Sequence, residues 1–98
     1  MGKLPDRYLY PAVFRFDDDG ISVYFPDLPG CITCGNTVEE AYRMARDALA
    51  GYLAVSEEEG DEIPAPSLDA KFPLEDNERV VFVEAWMPPY RSVPGRRR

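Results

Sequence analysis

Two hydrophobic periods divide the chain. From Tyr10 to Phe16, Ala12, Phe14 and Phe16 alternate with Val13 and Arg15, the period-two pattern of a strand with two different faces. The run stops at Asp17-Asp18-Asp19-Gly20, where Asp-Gly supplies the positive φ of a hairpin turn, and alternation resumes in Ile21-Ser22-Val23-Tyr24-Phe25. A short third strand, Cys31–Gly35, is expected to pair with the second. From Val38 to about Glu59 the period changes. Val38, Ala41, Tyr42, Ala45, Ala48, Leu49 and Tyr52 follow the i, i+3, i+4, i+7 spacing of one helix face. Alanines on that face favour the helix and let it sit close on a sheet. Arg79-Val80-Val81-Phe82-Val83-Glu84-Ala85-Trp86-Met87 is the most apolar segment, a strand buried on at least one face and ended by Pro88 and Pro89.

These elements read as an α+β domain of order β-β-β-α-β. With the last strand parallel to the first, the helix becomes a right-handed crossover. The expected sheet is then four-stranded and mixed, in the order 3-2-1-4, with one long helix on one face.

The connections are strongly punctuated. Pro26 and Pro29 fix φ near −65° and bias their predecessors toward extended backbone, while Gly30 can take the positive φ that closes a sharp turn. Thr37 and Glu40 predict a capping box, with the hydroxyl on a first-turn amide and the carboxylate reaching back to the Thr37 amide. Glu39 and Arg43 are spaced as an i, i+4 ion pair. Gly51 interrupts the helix at a cost of about 1 kcal/mol relative to Ala, which close packing would explain. Gly60 is the expected C-cap, and Ile63-Pro64-Ala65-Pro66 excludes regular structure after it.

At 98 residues the chain makes one domain with one modest core. No apolar run approaches the roughly 18–20 residues that span a bilayer, and the N-terminus shows no apolar signal segment, so a cytoplasmic protein is expected. Charge is uneven. All 18 Asp plus Glu precede Arg91, whereas Arg91, Arg96, Arg97 and Arg98 are four of the 11 basic residues, and the total is −7. The division expected is an acidic folded body, residues 1–90, and a basic tail, residues 91–98. An acidic body repels nucleic-acid phosphate and favours encounter with basic partners.

Candidate chemistry is sparse. Cys31 and Cys34 have CxxC spacing, but residues three apart on a strand point to opposite faces, and no helix starts directly after Cys34 as a redox site requires. With two Cys and no His, the chain lacks four zinc ligands, so only a zinc site shared between subunits is open, and it lacks the commonest neutral-pH general base. Neither Asp17-Asp18-Asp19 nor Glu57-Glu58-Glu59 with Asp61 and Glu62 has the alternating ligand spacing of a calcium loop. They read as a solvated turn and a solvated helix end, the latter unfavourably placed at the negative end of the helix dipole. No cofactor and no metal are expected.

The segment Phe25-Pro26-Asp27-Leu28-Pro29-Gly30-Cys31-Ile32-Thr33-Cys34-Gly35-Asn36-Thr37-Val38-Glu39-Glu40-Ala41, followed by Gly60 and Ile63-Pro64-Ala65-Pro66-Ser67, resembles the HicB-like antitoxin family over roughly Tyr10 to Trp86. The resemblance implies a partial RNase H-like fold and a binding module that covers the active surface of a small basic HicA-like ribonuclease toxin. A nuclease of the parent fold needs acidic residues converging from the first strand, the helix and the last strand to hold two metals. Here the first strand carries Ala12, Val13, Phe14 and Arg15 at its middle, and Glu84 on the last strand lacks partners, so no enzyme is expected. Many relatives continue into a ribbon-helix-helix or helix-turn-helix domain that binds the operator. Twelve residues follow Trp86, too few for either, and nucleic-acid binding is not expected of this domain. The alternative reading is a stand-alone oligomeric scaffold or regulator without a toxin.

Two surfaces follow as expectations. Asp17, Asp18, Asp19, Asp27, Glu39 and Glu40 are the candidate face toward a basic toxin. The order 3-2-1-4 leaves the apolar last strand at an edge without Lys. A homodimer or larger assembly is therefore expected through Phe82, Trp86, Pro88, Pro89 and Tyr90.

Overall fold

The computed structural model describes residues 4–69 and 71–91. Strands β1 (Arg7–Asp17), β2 (Gly20–Tyr24) and β3 (Ile32–Gly35) precede the helix α1 (Val38–Glu59). Strand β4 (Glu78–Trp86) and a single 3-10 turn at Pro88–Tyr90 follow it. The sheet has the order β3-β2-β1-β4, as the sequence suggests.

The sheet is not mixed. All three pairings are antiparallel, including β1 with β4, where Arg7 lies opposite Trp86 and Arg15 opposite Glu78. The reason is the path after the helix. α1 ends beside the start of β1, where the Tyr8 hydroxyl donates to Glu57. The chain then returns to the far end of β1, where the Phe16 amide donates to the Asn77 carbonyl at 2.8 Å, before β4 begins. A second traverse of the sheet reverses the strand, so α1 is not a crossover between parallel neighbours.

Backbone direction also explains a proline inside the longest strand. The Met87 amide donates to Asp6 and the Phe16 amide to Asn77, so even-numbered positions along β1 turn their backbone groups toward β4 and odd-numbered ones toward β2. Pro11 is odd, and β2 ends at Tyr24 opposite Val13. Its missing N–H therefore falls where no neighbouring strand needs a donor.

The core lies between α1 and one side of the sheet. Tyr10, Ala12, Phe14, Val23, Val83 and Ala85 meet Ala41, Ala45, Leu49, Ala50, Leu53 and Ala54, with Phe25, Leu28 and Cys31 closing it from the loop before β3. The buried helix face differs in part from the expected stripe. Val38 is 57 % exposed, whereas Ala50, Leu53 and Ala54 are buried. The helix makes its deepest contact through its C-terminal half, while its first turn is pressed against β3. There Gly35 has no room for a side chain, because a Cβ would stand 2.5 Å from the Ala41 nitrogen.

Both helix ends are capped from the sequence. The Thr37 hydroxyl accepts from the Glu40 amide at 3.1 Å, and the Glu40 carboxylate reaches back one residue further than expected, to the Asn36 amide at 2.7 Å. Gly60, at φ 72°, donates to Glu57, and Asp61 donates to Ser56, a complete Schellman motif. No ion pair joins Glu39 to Arg43 among the described residues.

Gly51 is not a packing glycine, since a Cβ there meets nothing within 4 Å. Gly51→Ala is therefore expected to stabilise the protein by up to about 1 kcal/mol through helix propensity alone. Gly35→Ala is expected to destabilise it, because backbone must move. Urea denaturation of the two variants checks both signs.

Candidate functional site

One end of the sheet collects carboxylates. The β1–β2 turn carries Asp17, Asp18 and Asp19. Gly20 holds that turn against the residues leading into α1, since a Cβ on it would lie 3.3 Å from the Gly35 carbonyl and 3.7 Å from the Asn36 side chain. The first helical turn, with Glu39 and Glu40, thus sits beside the hairpin. Asp17 accepts from Arg15 at 3.2 Å and from the Asn77 amide group at 3.0 Å, and Glu40 is occupied by its cap. Asp18 and Asp19 have no hydrogen-bond or ion-pair partner among the described residues, so their charge faces solvent.

Asp27 does not join this group. It lies at the other end of β2, where its carboxylate takes both the amide and the hydroxyl of Ser67, at 2.8 and 2.5 Å, and so ties the return segment to the loop before β3. The turn before β4 supplies charge that sequence reasoning missed. Asn77 bonds the Phe16 carbonyl and Asp17, placing Glu75 and Asp76 at the acidic end. Asp76-Asn77 just before an apolar run was the available turn signal. Glu78, only 7 % exposed, is compensated by the Glu75 amide at 2.9 Å and by Arg15 at 3.6 Å.

The five residues expected at an oligomer contact separate into two places. Phe82 and Trp86 are 45 % and 41 % exposed on the face of the sheet away from α1, where the Arg7 guanidinium lies 4.6 Å from the Trp86 ring and 2.7 Å from Glu84. Pro88, Pro89 and Tyr90 turn back toward the helix, and the Tyr90 hydroxyl donates to Asp47 at 2.8 Å. Between α1 and β4 two cavities of about 470 and 480 Å³ open side by side, both bordered by Arg43 and Arg46.

The opposite end is fastened by a polar clasp. Arg91 grips both carboxylate oxygens of Glu57 at 2.9 Å, Asp6 at 3.0 Å and the Pro5 carbonyl, while Tyr8 donates to Glu57 at 2.8 Å. Glu57 is 5 % exposed at its side chain, so an acidic residue at a helix C-terminus, unfavourable locally, is compensated by two partners from outside the helix. Burial, reinforced by the bond to Glu57, pushes the Tyr8 phenol up to about 12. Of the basic tail expected from Arg91 onward, residues 92–98 lie outside the described residues.

Cys31 is buried, with its thiol directed to the Ala48 carbonyl at 3.7 Å and pushed up to about 11 by desolvation, while Cys34 is exposed. Among the described residues no group of three or more Cys, Asp or Glu side chains is placed to hold a metal, and no helix is long and apolar enough to cross a membrane. Glu84 stands beside Arg7, at 2.7 Å.

An acidic end and an open strand edge are thus two surface features that the described residues present. Residues 10–84 match the HicB-like antitoxin family of bacterial toxin–antitoxin systems. The chain belongs to that family. Antitoxin HicB 2 of Photorhabdus laumondii is 47 % identical over 58 residues, covering 59 % of this chain and 42 % of the relative. Antitoxin HicB 1 of the same organism is 40 % identical over 58 residues, covering 58 % and 37 %. The match thus spans about two-fifths of these curated HicB-like proteins. Among solved structures, a chain of a toxin–antitoxin complex from Streptococcus pneumoniae superposes with a TM-score of 0.77 at 24 % identity, covering 91 % of this chain and 76 % of that one, and supports the fold. A chain of the HicA3 and HicB3 toxin–antitoxin complex gives 0.59 at 28 % identity, covering 78 % and 95 %. HicB-like antitoxins as a family act by binding rather than by catalysis.

Two measurements test the local chemistry. Tyr8 rises from 10.0 to about 12 on folding, so the unfolded chain loses this proton first. Its contribution to stability is intact below pH 10 and disappears as pH passes through 12. Urea midpoints should fall over that range, and Tyr8→Phe should flatten the fall. In native protein, a thiol reagent at neutral pH should label Cys34 rapidly and Cys31 only on unfolding, because burial both shields Cys31 and suppresses its thiolate. Two equally fast thiols would contradict the placement of Cys31.

Proposed function

We propose that this HicB-like domain is an antitoxin module that neutralises a small basic HicA-type toxin in the cytoplasm by covering its RNA-cleaving surface, acting as a homodimer and without catalysis of its own. A surface that binds RNA must be basic to hold phosphate. The solvent-facing carboxylates of Asp18, Asp19 and Glu39, joined by Glu75 and Asp76, present comparable negative charge on a folded scaffold and compete for the same cations. That acidic end is the observation that carries the reading. Family membership supplies the kind of partner.

Long-range attraction acts chiefly on association rate. Asp18→Lys with Asp19→Lys leaves every hydrogen bond of the turn in place, so the fold is expected to persist. Association with a purified HicA-type toxin, followed by stopped-flow at low salt, should slow by roughly tenfold and lose most of its salt dependence. Unchanged kinetics would remove the acidic end from the contact. Failure of the wild-type domain to bind or inhibit the toxin would favour the stand-alone oligomeric regulator instead.

A further inference from the structure

The first turn of α1 exposes an apolar residue. Val38 opens the helix at 57 % exposure and is not part of the core. A β-branched residue is a weaker helix former than Ala, Glu or Gln, so neither propensity nor core packing accounts for it. Phe16, near the end of β1, is 38 % exposed. The two belong to one concavity. The cavity of about 480 Å³ has Phe14, Phe16 and Val81 as its floor and Val38 and Tyr42 as its wall. That volume lies within the range of roughly 300–1,000 Å³ that holds a small ligand.

This cavity adjoins the acidic end. Phe16 directly precedes Asp17 in the chain, and Val38 directly precedes Glu39, so the mouth borders both the β1–β2 turn and the first helical turn. Charges along the helix rim are ordered. Glu39 lies nearest the acidic end, and Arg43 and Arg46 follow about one and two turns further along α1. Neither arginine forms an ion pair among the described residues. A segment lying across the mouth therefore meets carboxylates on one side of the cavity and guanidinium groups on the other.

Charge and cavity act on different rate constants. Peripheral charges steer encounter and set the association rate, whereas residence comes from side chains buried in desolvated pockets. We propose that this cavity receives an aromatic or large aliphatic side chain of the basic toxin, carried beside Lys or Arg residues that meet Glu39, Asp18 and Asp19. The inference rests on the antitoxin reading above and names where the bound partner is anchored. Basic residues flank the anchor on the acidic side alone, because Arg43 and Arg46 repel them on the other. Seating the anchor removes the exposed surfaces of Val38 and Phe16 from water, which favours the complex whatever the salt concentration.

The test measures association and dissociation rates separately, between the domain and a purified HicA-type toxin. Val38→Gln removes apolar wall while keeping a good helix former and both hydrogen bonds of the cap, so urea midpoints should stay at the wild-type value. The complex should dissociate roughly tenfold faster, with the association rate and its salt dependence unchanged, the reverse of the effect expected for Asp18→Lys with Asp19→Lys. In double-mutant cycles against alanine substitutions of the toxin's exposed apolar residues, one toxin residue should couple to Val38 and lose most of its effect in the Val38→Gln background. Dissociation at the wild-type rate, or the absence of any coupled apolar residue, would overturn the anchor while leaving the antitoxin reading in place. A change confined to the association rate would assign Val38 to the encounter and overturn it equally. A wild-type domain that does not bind the toxin would defeat both.

Discussion

One helix has to shield one side of four strands, and most of the structure follows from that mismatch. A helix with its side chains is about 10–12 Å across, whereas four strands spaced about 4.8 Å apart are wider. α1 meets the problem by approaching closely. Ala41 and Ala45 present almost no side-chain bulk, and Gly35 gives up its side chain so that β3 can abut the first turn. The loop residues Phe25, Leu28 and Cys31 cover what the helix cannot reach beside β3. On the β4 side nothing comparable fills the gap among the described residues. Phe14, Phe16 and Val81 therefore border a cavity, and the last strand keeps an open edge.

The return of the chain from helix to last strand is the second determinant. Because α1 descends the sheet, a parallel β4 would have started near Gly60. The return segment climbs instead, tied to the sheet at Tyr10 by a bond to the Pro64 carbonyl, at Asp27 by Ser67 and at Phe16 by Asn77. Each anchor pairs residues at least forty positions apart, so each depends on the completed sheet. The Arg91 clasp then brings the chain after β4 back to the end of the helix, and Glu57 becomes the point where the first strand, the helix and the last segment meet.

Elements governed by local rules are legible in the amino-acid sequence. The hairpin at Asp17–Gly20, the helix bounds, the Thr37 cap and the Gly60 terminus all arise from residues within a few positions of one another. Strand order is legible as well, through two tight connections and the apolar last strand. Strand direction is not. Nothing in the composition of residues 61–77 fixes which end of β1 they reach, because anchors such as Asp27–Ser67 look like ordinary loop polarity in sequence. The candidate site divides along the same line. Asp17 to Asp19 and Glu39 to Glu40 are joined by short-range geometry, whereas Asp27 is a tertiary anchor and Glu75 and Asp76 arrive from the far side of the helix. Gly51 and Gly35 look alike in sequence, and only their surroundings separate a packing requirement from a removable cost.

The fold keeps its two candidate contact surfaces apart. The carboxylates lie beyond the β1–β2 turn and at the start of α1, at one end of the strands, while the unused hydrogen bonds of β4 run along the side of the sheet. A strand edge attracts through backbone groups and is indifferent to the partner's sequence, so it needs side chains to exclude wrong pairings. Among the described residues the neighbouring charges are few and mixed, with Glu84 held by Arg7 on one face and Arg43, Arg46 and Asp47 on the other. The acidic end works at longer range and discriminates by sign of charge. Under the proposed reading, the acidity that selects a basic partner also discourages contact between the acidic ends of two copies, since like-charged ends repel at low salt.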